Sequence, residues 1–214
     1  MAGSSAPTGV WVETGRTKVF VGALDWPGWC RAAKSEAAAL DTLASYATRY
    51  APVAAAAGVR FATDRPFVVV ERAVGSATTD FGAPGVILEA DRAPLTAAEA
   101  RRRADLLAAA WDRLDAVVAA VPAELRKGPR GGGRDRDAMA AHVTEAELAY
   151  AAKLGLRLRQ ADPTARRAAI LDTLRAARSG APTDGRGWPA RYAAARMAWH
   201  VLDHTWEMED RATP

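Results

Sequence analysis

One cysteine in 214 residues, Cys30, leaves no partner for an internal disulfide and no sulfur set for a cysteine-cluster zinc site. No apolar run approaches the roughly 20 residues that a membrane-spanning helix needs. Met1–Gly9 has neither the basic start nor the apolar stretch of a secretory signal, so a cytoplasmic protein is expected. Lysine is scarce too. Lys18, Lys34, Lys127 and Lys153 are the only ones, and arginine carries most of the net charge of +4. The arginines are interspersed with Asp and Glu, as in residues 100–115, which reads as solvated helix faces. Nucleic-acid binding needs charge gathered on one face, so nucleic acid is not an expected partner. Histidine, the one side chain whose ordinary pKa lies near neutral pH, is also scarce, with three copies.

What is present is ordinary for a globular chain: half the residues are hydrophobic and a quarter are charged. The expected class is α+β. Val10–Glu13 and Lys18–Leu24 are short β-type runs separated by Thr14-Gly15-Arg16-Thr17, a hairpin pattern. Ser35 precedes Glu36 and an apolar spacing at Leu40, Leu43, Tyr46 and Ala47, predicting a capped helix. Phe67–Glu71 predicts a third strand, giving a small ββαβ unit over residues 8–75, with a connector over 76–94. Its tryptophans Trp11, Trp26 and Trp29 suit either a docking surface or a core.

Four helices are expected beyond the connector. Thr96-Ala-Ala-Glu99 is a capping box ahead of Leu106, Leu107, Trp111, Leu114 and Val118. Gly128–Gly133 breaks the chain before a second helix from about Asp135 to Leu154. Asp162-Pro163 places a cap before a proline at the first helical position. Trp188-Pro189 opens the fourth helix, which reaches about Asp210. Four amphipathic helices with short connections predict a four-helix bundle over 95–211.

All three histidines fall in that half. His200 and His204 are four apart, so they lie about 40° apart on one helix face, the spacing of two metal ligands on one helix. Glu207 follows on the same face. His142 stands on the second helix with Glu145 one turn on, and a bundle brings those two helices together. Three neutral imidazoles suit Zn²⁺ or Ni²⁺ and leave positions for water or substrate. Before His142 lies Arg126–Arg136, rich in Gly and Arg. The helix start with Arg130, Arg134 and Arg136 suits a carboxylate or phosphate of a cofactor, with a solvated loop as the alternative.

The histidine-bearing segments, Asp137-Ala-Met-Ala-Ala-His142-Val and Trp199-His200-Val-Leu-Asp-His204-Thr-Trp206, resemble those of DinB/YfiT-like metal-binding four-helix bundles. The aromatic residue often found before the second helix of that family is absent here. The resemblance implies a divalent metal on His142, His200 and His204. It also implies thiol-dependent S-transfer or isomerisation, with a low-molecular-weight thiol such as mycothiol or bacillithiol and an electrophilic small molecule as partners. In that chemistry Glu207 and Glu145 are candidates to orient a ligand or handle a proton, each alternatively an exposed helix carboxylate. Dimerisation is the assembly the resemblance allows. Val19–Cys30, containing Asp25-Trp-Pro-Gly28, followed by Ser35-Glu-Ala-Ala-Ala-Leu40, is similar to the strand–turn–helix of HicB-like antitoxin domains. The DNA-binding segment of such antitoxins is absent. A non-catalytic regulatory or binding protein that recognises a partner through this unit is therefore the alternative function.

Overall fold

The computed structural model describes residues 6–128, 132–159, 161–182 and 187–212. The class is mixed α+β, with a four-stranded sheet and seven α-helices among those residues. β1 (Thr8–Thr14) and β2 (Val19–Ala23) form the expected antiparallel hairpin, closed by the Gly15 N–H donating to the Lys18 carbonyl at 2.9 Å. β3 (Cys30–Ala33) then adds antiparallel to β2. The intervening turn needs Gly28 at φ +91°, a left-handed conformation that side chains disfavour.

Two helices follow. α1 (Glu36–Ser45) starts where the Ser35 hydroxyl accepts from the Ala38 N–H, and α2 (Ala47–Ala56) follows directly with Pro52 inside it. β4 (Phe67–Val74) returns to pair parallel with β1, giving the order β3-β2-β1-β4. The parallel pairing contains a bulge: Val10 faces Val69, but Trp11 faces Glu71. The order β1-β2-β3-α1-α2-β4 thus has one strand and one helix more than the expected ββαβ. Arg31-Ala32-Ala33 lacks the β-branched residues that mark a strand and is extended by its pairing to β2.

Residues 76–94 hold the short helix α3 (Ala77–Phe81) and a 3₁₀ turn at Ala90–Arg92. They are tied to the sheet by two strand carboxylates. Buried Glu13 accepts from Thr79 Oγ1 and from the N–H groups of Gly85 and Val86, and Glu71 accepts from the N–H groups of Glu89 and Ala90. Asp91 in the 3₁₀ turn accepts from the Leu88 N–H at 3.0 Å, and burial pushes its pKa up to about 6. The folded state therefore keeps this proton at a higher pH than the unfolded chain does. Asp91 should stabilise the fold as pH falls from about 6 towards 4, and weaken it above that window. Between pH 7 and 4, wild type should gain about 2 kcal/mol relative to Asp91→Asn in urea unfolding. Parallel pH profiles for the two proteins would refute this.

The remaining helices begin as expected. α4 (Ala97–Ala120) opens on the reciprocal Thr96/Glu99 capping box. α5 spans Arg136–Lys153, and α6 (Pro163–Ala176) has the Asp162 carboxylate accepting from the Ala165 N–H. α7 spans Ala190–Ala212. α4 packs on α6 and α7, and α5 packs on α7. No helix among the described residues is long and apolar enough to cross a membrane.

α7 is buried around most of its circumference, from Tyr192 and Met197 through Trp199, Leu202 and Trp206 to Met208. One side meets α4 and α5, and the other meets the sheet. A Cβ on Gly28 would reach within 2.7 Å of Leu202 Cδ1, and Phe20 stands edge-on to Trp199 at 6.0 Å. Arg31 on β3 pairs with Asp203 at 2.8 Å, while Arg49 on α2 pairs with Glu209 and Asp210. One contiguous core consequently contains Val10, Val12 and Tyr50 together with Leu107, Trp111, Ile170 and Leu202.

Candidate metal centre

α5 and α7 lie against each other, and the three histidines meet at that contact. One ligand-capable atom from each of His142, His200 and His204 lies within 4.8 Å of the other two. The Nε2 atoms of His142 and His200 are 3.3 Å apart. Two imidazole nitrogens bound tetrahedrally to one ion at about 2.0–2.1 Å would stand roughly 3.3–3.4 Å apart, so this pair already has the required separation. The rings are steeply inclined, at 63° to 90°, with centroids 4.7–5.1 Å apart, so their edges rather than their faces converge.

The electrostatics keep lone pairs available. His200 is 7% exposed, and burial pushes its pKa down to about 2; a proton there would also be repelled by any proton on His204 or His142 and by the Arg196 and Arg134 guanidiniums. Burial also lowers the pKa of His142, with Arg134 and His204 adding to it, while Glu145 and Glu207 pull the other way. A proton is disfavoured at both rings. A metal ligand must likewise be neutral, so this donor set fits a late divalent cation.

Glu207 supports the third ring. Its Oε2 is 3.3 Å from His204 Nδ1, and Oε1 accepts from Arg211 Nη1 at 2.8 Å. An Nδ1–H donating to Glu207 leaves Nε2 of His204 with its lone pair, a common arrangement behind a metal-bound histidine. The hydrogen bond to His204 holds the Glu207 carboxyl below the usual carboxylate range. Arg211 Nε in turn donates to the Arg126 carbonyl at 2.7 Å, anchoring the chain that leads towards α5.

The other expected site residues are placed less centrally. Glu145 is exposed on α5, near enough to act on His142 through its charge. Arg134 is exposed and likewise acts on His142 and His200. Arg136 is occupied: Nε donates to Asp137 at 2.7 Å and Nη1 to the Val121 carbonyl at 3.1 Å. Arg130 lies outside the described residues. Cys30 is buried, and burial raises its thiol pKa well above the ordinary value, which suits a small core side chain rather than a nucleophile.

Two neighbours of the site were not anticipated from the sequence. Tyr150 on α5 stands edge-on to His200 at 5.6 Å. Arg196, one turn before His200 on α7, lies over the rings of Trp199 and Tyr150 at 4.5 and 5.4 Å. The i−4 spacing from Arg196 to His200 was the only signal available, and an arginine in an Ala-rich helix carries little information alone. No family model, curated protein or solved structure matches this chain.

Proposed function

We propose that this chain is a divalent-metal-binding protein of the DinB/YfiT-like class that carries out thiol-dependent S-transfer or isomerisation in the cytoplasm. The observation that carries the reading is the convergence of the three imidazoles at the α5–α7 contact. His142, His200 and His204 would hold zinc or nickel. The ion, when bound, supplies Lewis acidity and favours the thiolate of a mycothiol- or bacillithiol-type thiol at neutral pH.

The chain's own groups have separate roles in this proposal. Burial and neighbouring cations keep His142 and His200 unprotonated and therefore able to bind. Glu207 accepts the Nδ1 proton of His204 and fixes that ring, with Arg211 fixing Glu207. Arg134, exposed and close enough to act on the histidines, draws an anionic substrate towards the site.

Metal analysis after exposure to zinc and to nickel tests the reading. Wild type should retain about one ion per chain, and His142→Ala and His200→Ala should retain none. Glu207→Ala should weaken retention by about 10- to 100-fold without removing a ligand. A wild-type protein that stays metal-free sinks the proposal. With metal retained, conjugation of mycothiol-type thiols to electrophiles should depend on the same residues.

A further inference from the structure

The sheet ends in an open strand. β4 is last in the order β3-β2-β1-β4, and β1 is the one strand beside it. Thr8, Val10, Val12 and Thr14 of β1 stand opposite Phe67, Val69, Arg72 and Val74. The Thr8 N–H donates to the Pro66 carbonyl, and the Gly75 N–H donates to the Thr14 carbonyl, both at 2.8 Å. In a parallel ladder, a residue that faces its neighbour bonds to the residues flanking its opposite number. The N–H and C=O groups of Phe67, Val69, Arg72 and Val74 therefore point away from β1, and no described residue hydrogen-bonds them.

Such an edge is a template for another strand unless it is guarded. β4 is eight residues long and contains neither lysine nor proline. Its one cation, Arg72, is neutralised by a two-pronged pair with Glu36 of α1. Of the four exposed large hydrophobic residues among those described, Val68, Val70 and Val74 lie on this strand, and Val74 is 87% exposed. The remaining guard is the bulge. It makes the free groups step by two residues from Phe67 to Val69, by three to Arg72 and by two to Val74. A straight strand offers its free groups at every second residue, so it falls out of step at the bulge.

We propose that the occupant of this edge is β4 of a second copy of the chain, antiparallel and related by a two-fold axis at the bulge. The spacing two, three, two reads the same in both directions, so the edge turned end for end matches itself. Phe67 then stands opposite the partner's Val74, and Val69 opposite the partner's Arg72. The faces agree as well. The bulge keeps Phe67, Val69 and Arg72 all on the helix side of the sheet, so side chains that meet across the axis come from the same face. Pairing joins the two sheets edge to edge and covers Val74, which otherwise stands in water. The surface uses none of the histidines, so it goes beyond the metal-centre reading and stands without it.

Sedimentation equilibrium of the full chain from about 5 µM to about 0.5 mM, in EDTA and again with zinc, tests the proposal. A reversible monomer–dimer equilibrium should appear equally in both. In the same samples, hydrogen exchange should slow at the amides of Phe67, Val69, Arg72 and Val74 as the dimer forms. The Val68 amide, already held by β1, should be slow at every concentration. Val74→Pro removes one free N–H from each copy, leaves the β1 ladder intact, and should weaken association by about tenfold or more. Val70→Glu gathers like charges at the axis and should abolish association. Thermal unfolding shows whether each variant keeps its fold, and the exchange measurement on wild type needs no variant. A monomer at every concentration overturns the proposal. So does a dimer that leaves those four amides exchanging freely, one that a folded Val70→Glu variant still forms unchanged, or one that needs zinc.

Discussion

Replacing Glu147 with Ala should cost about 3–5 kcal/mol of folding stability, because it strands a buried charge. Glu147 on α5 and Arg166 on α6 are each 3% exposed, and Arg166 Nε lies 3.3 Å from Glu147 Oε2. Arg167 reaches the other oxygen at 3.1 Å, pairs with Asp115 of α4 at 2.7 Å, and lies over the Trp111 ring at 5.2 Å. Helices α5 and α6 therefore meet at one carboxylate, and α4 joins them through Arg167. Without it, Arg167 retains Asp115, but Arg166 keeps its charge away from water with no counter-ion. The double change Glu147→Leu with Arg166→Met removes both desolvated charges and should recover most of the loss. Urea unfolding of the single and double variants measures this. A single variant within about 1 kcal/mol of wild type would show that water reaches Arg166.

Trp29→Ala should be comparably damaging, at about 3–5 kcal/mol. The indole is 2% exposed, stacks on Tyr50 at 5.8 Å, meets Phe61 edge-on at 4.9 Å and leans on Phe67 at 5.6 Å. Its Nε1–H donates to the Leu43 carbonyl at 2.9 Å. One side chain thus joins the turn before β3 to α1, α2 and β4. Trp29→Phe keeps much of the ring contact and loses that hydrogen bond, so it should cost only about 1–2 kcal/mol. Thermal and urea unfolding of both variants rank them, and equal losses would mean that the hydrogen bond, not the burial, dominates.

The legible parts of this fold are those set by local chemistry. Ser35, the Thr96/Glu99 pair and Asp162-Pro163 satisfy helix-end N–H groups from within a few residues, so their spacing alone locates three helix starts. β3 was invisible because Arg31-Ala32-Ala33 takes its extended form from β2. The docking of α7 against the sheet was invisible too. Trp199, Leu202 and Trp206 show that α7 is apolar on several sides without showing what covers each side.

The centre divides in the same way. The His200/His204 spacing and Glu207 are local to one helix and could be read directly. His142 needed the order of the helices. That Arg136 is already engaged follows from the path of the chain at Val121, which no spacing reveals. The same holds for Trp11, whose indole lies where a Cβ on Gly22 of the neighbouring strand would stand.

The β1–β4 bulge has an effect well beyond the strand it interrupts. A strand alternates faces strictly, so Phe67, Val69 and Glu71 would all point towards α1 and α2 if the pairing ran unbroken. Val70 is the extra residue, and it reverses the parity of everything after it. Phe67 and Val69 stay with the helix-side core, Arg72 takes over that face and meets Glu36 of α1, and Glu71 turns to the face of Trp11. Only there can its carboxylate catch the Glu89 and Ala90 N–H groups. The position of Leu88 and Asp91 on the Trp11 face of the sheet is thus set by a single unpaired valine on the far edge of the sheet.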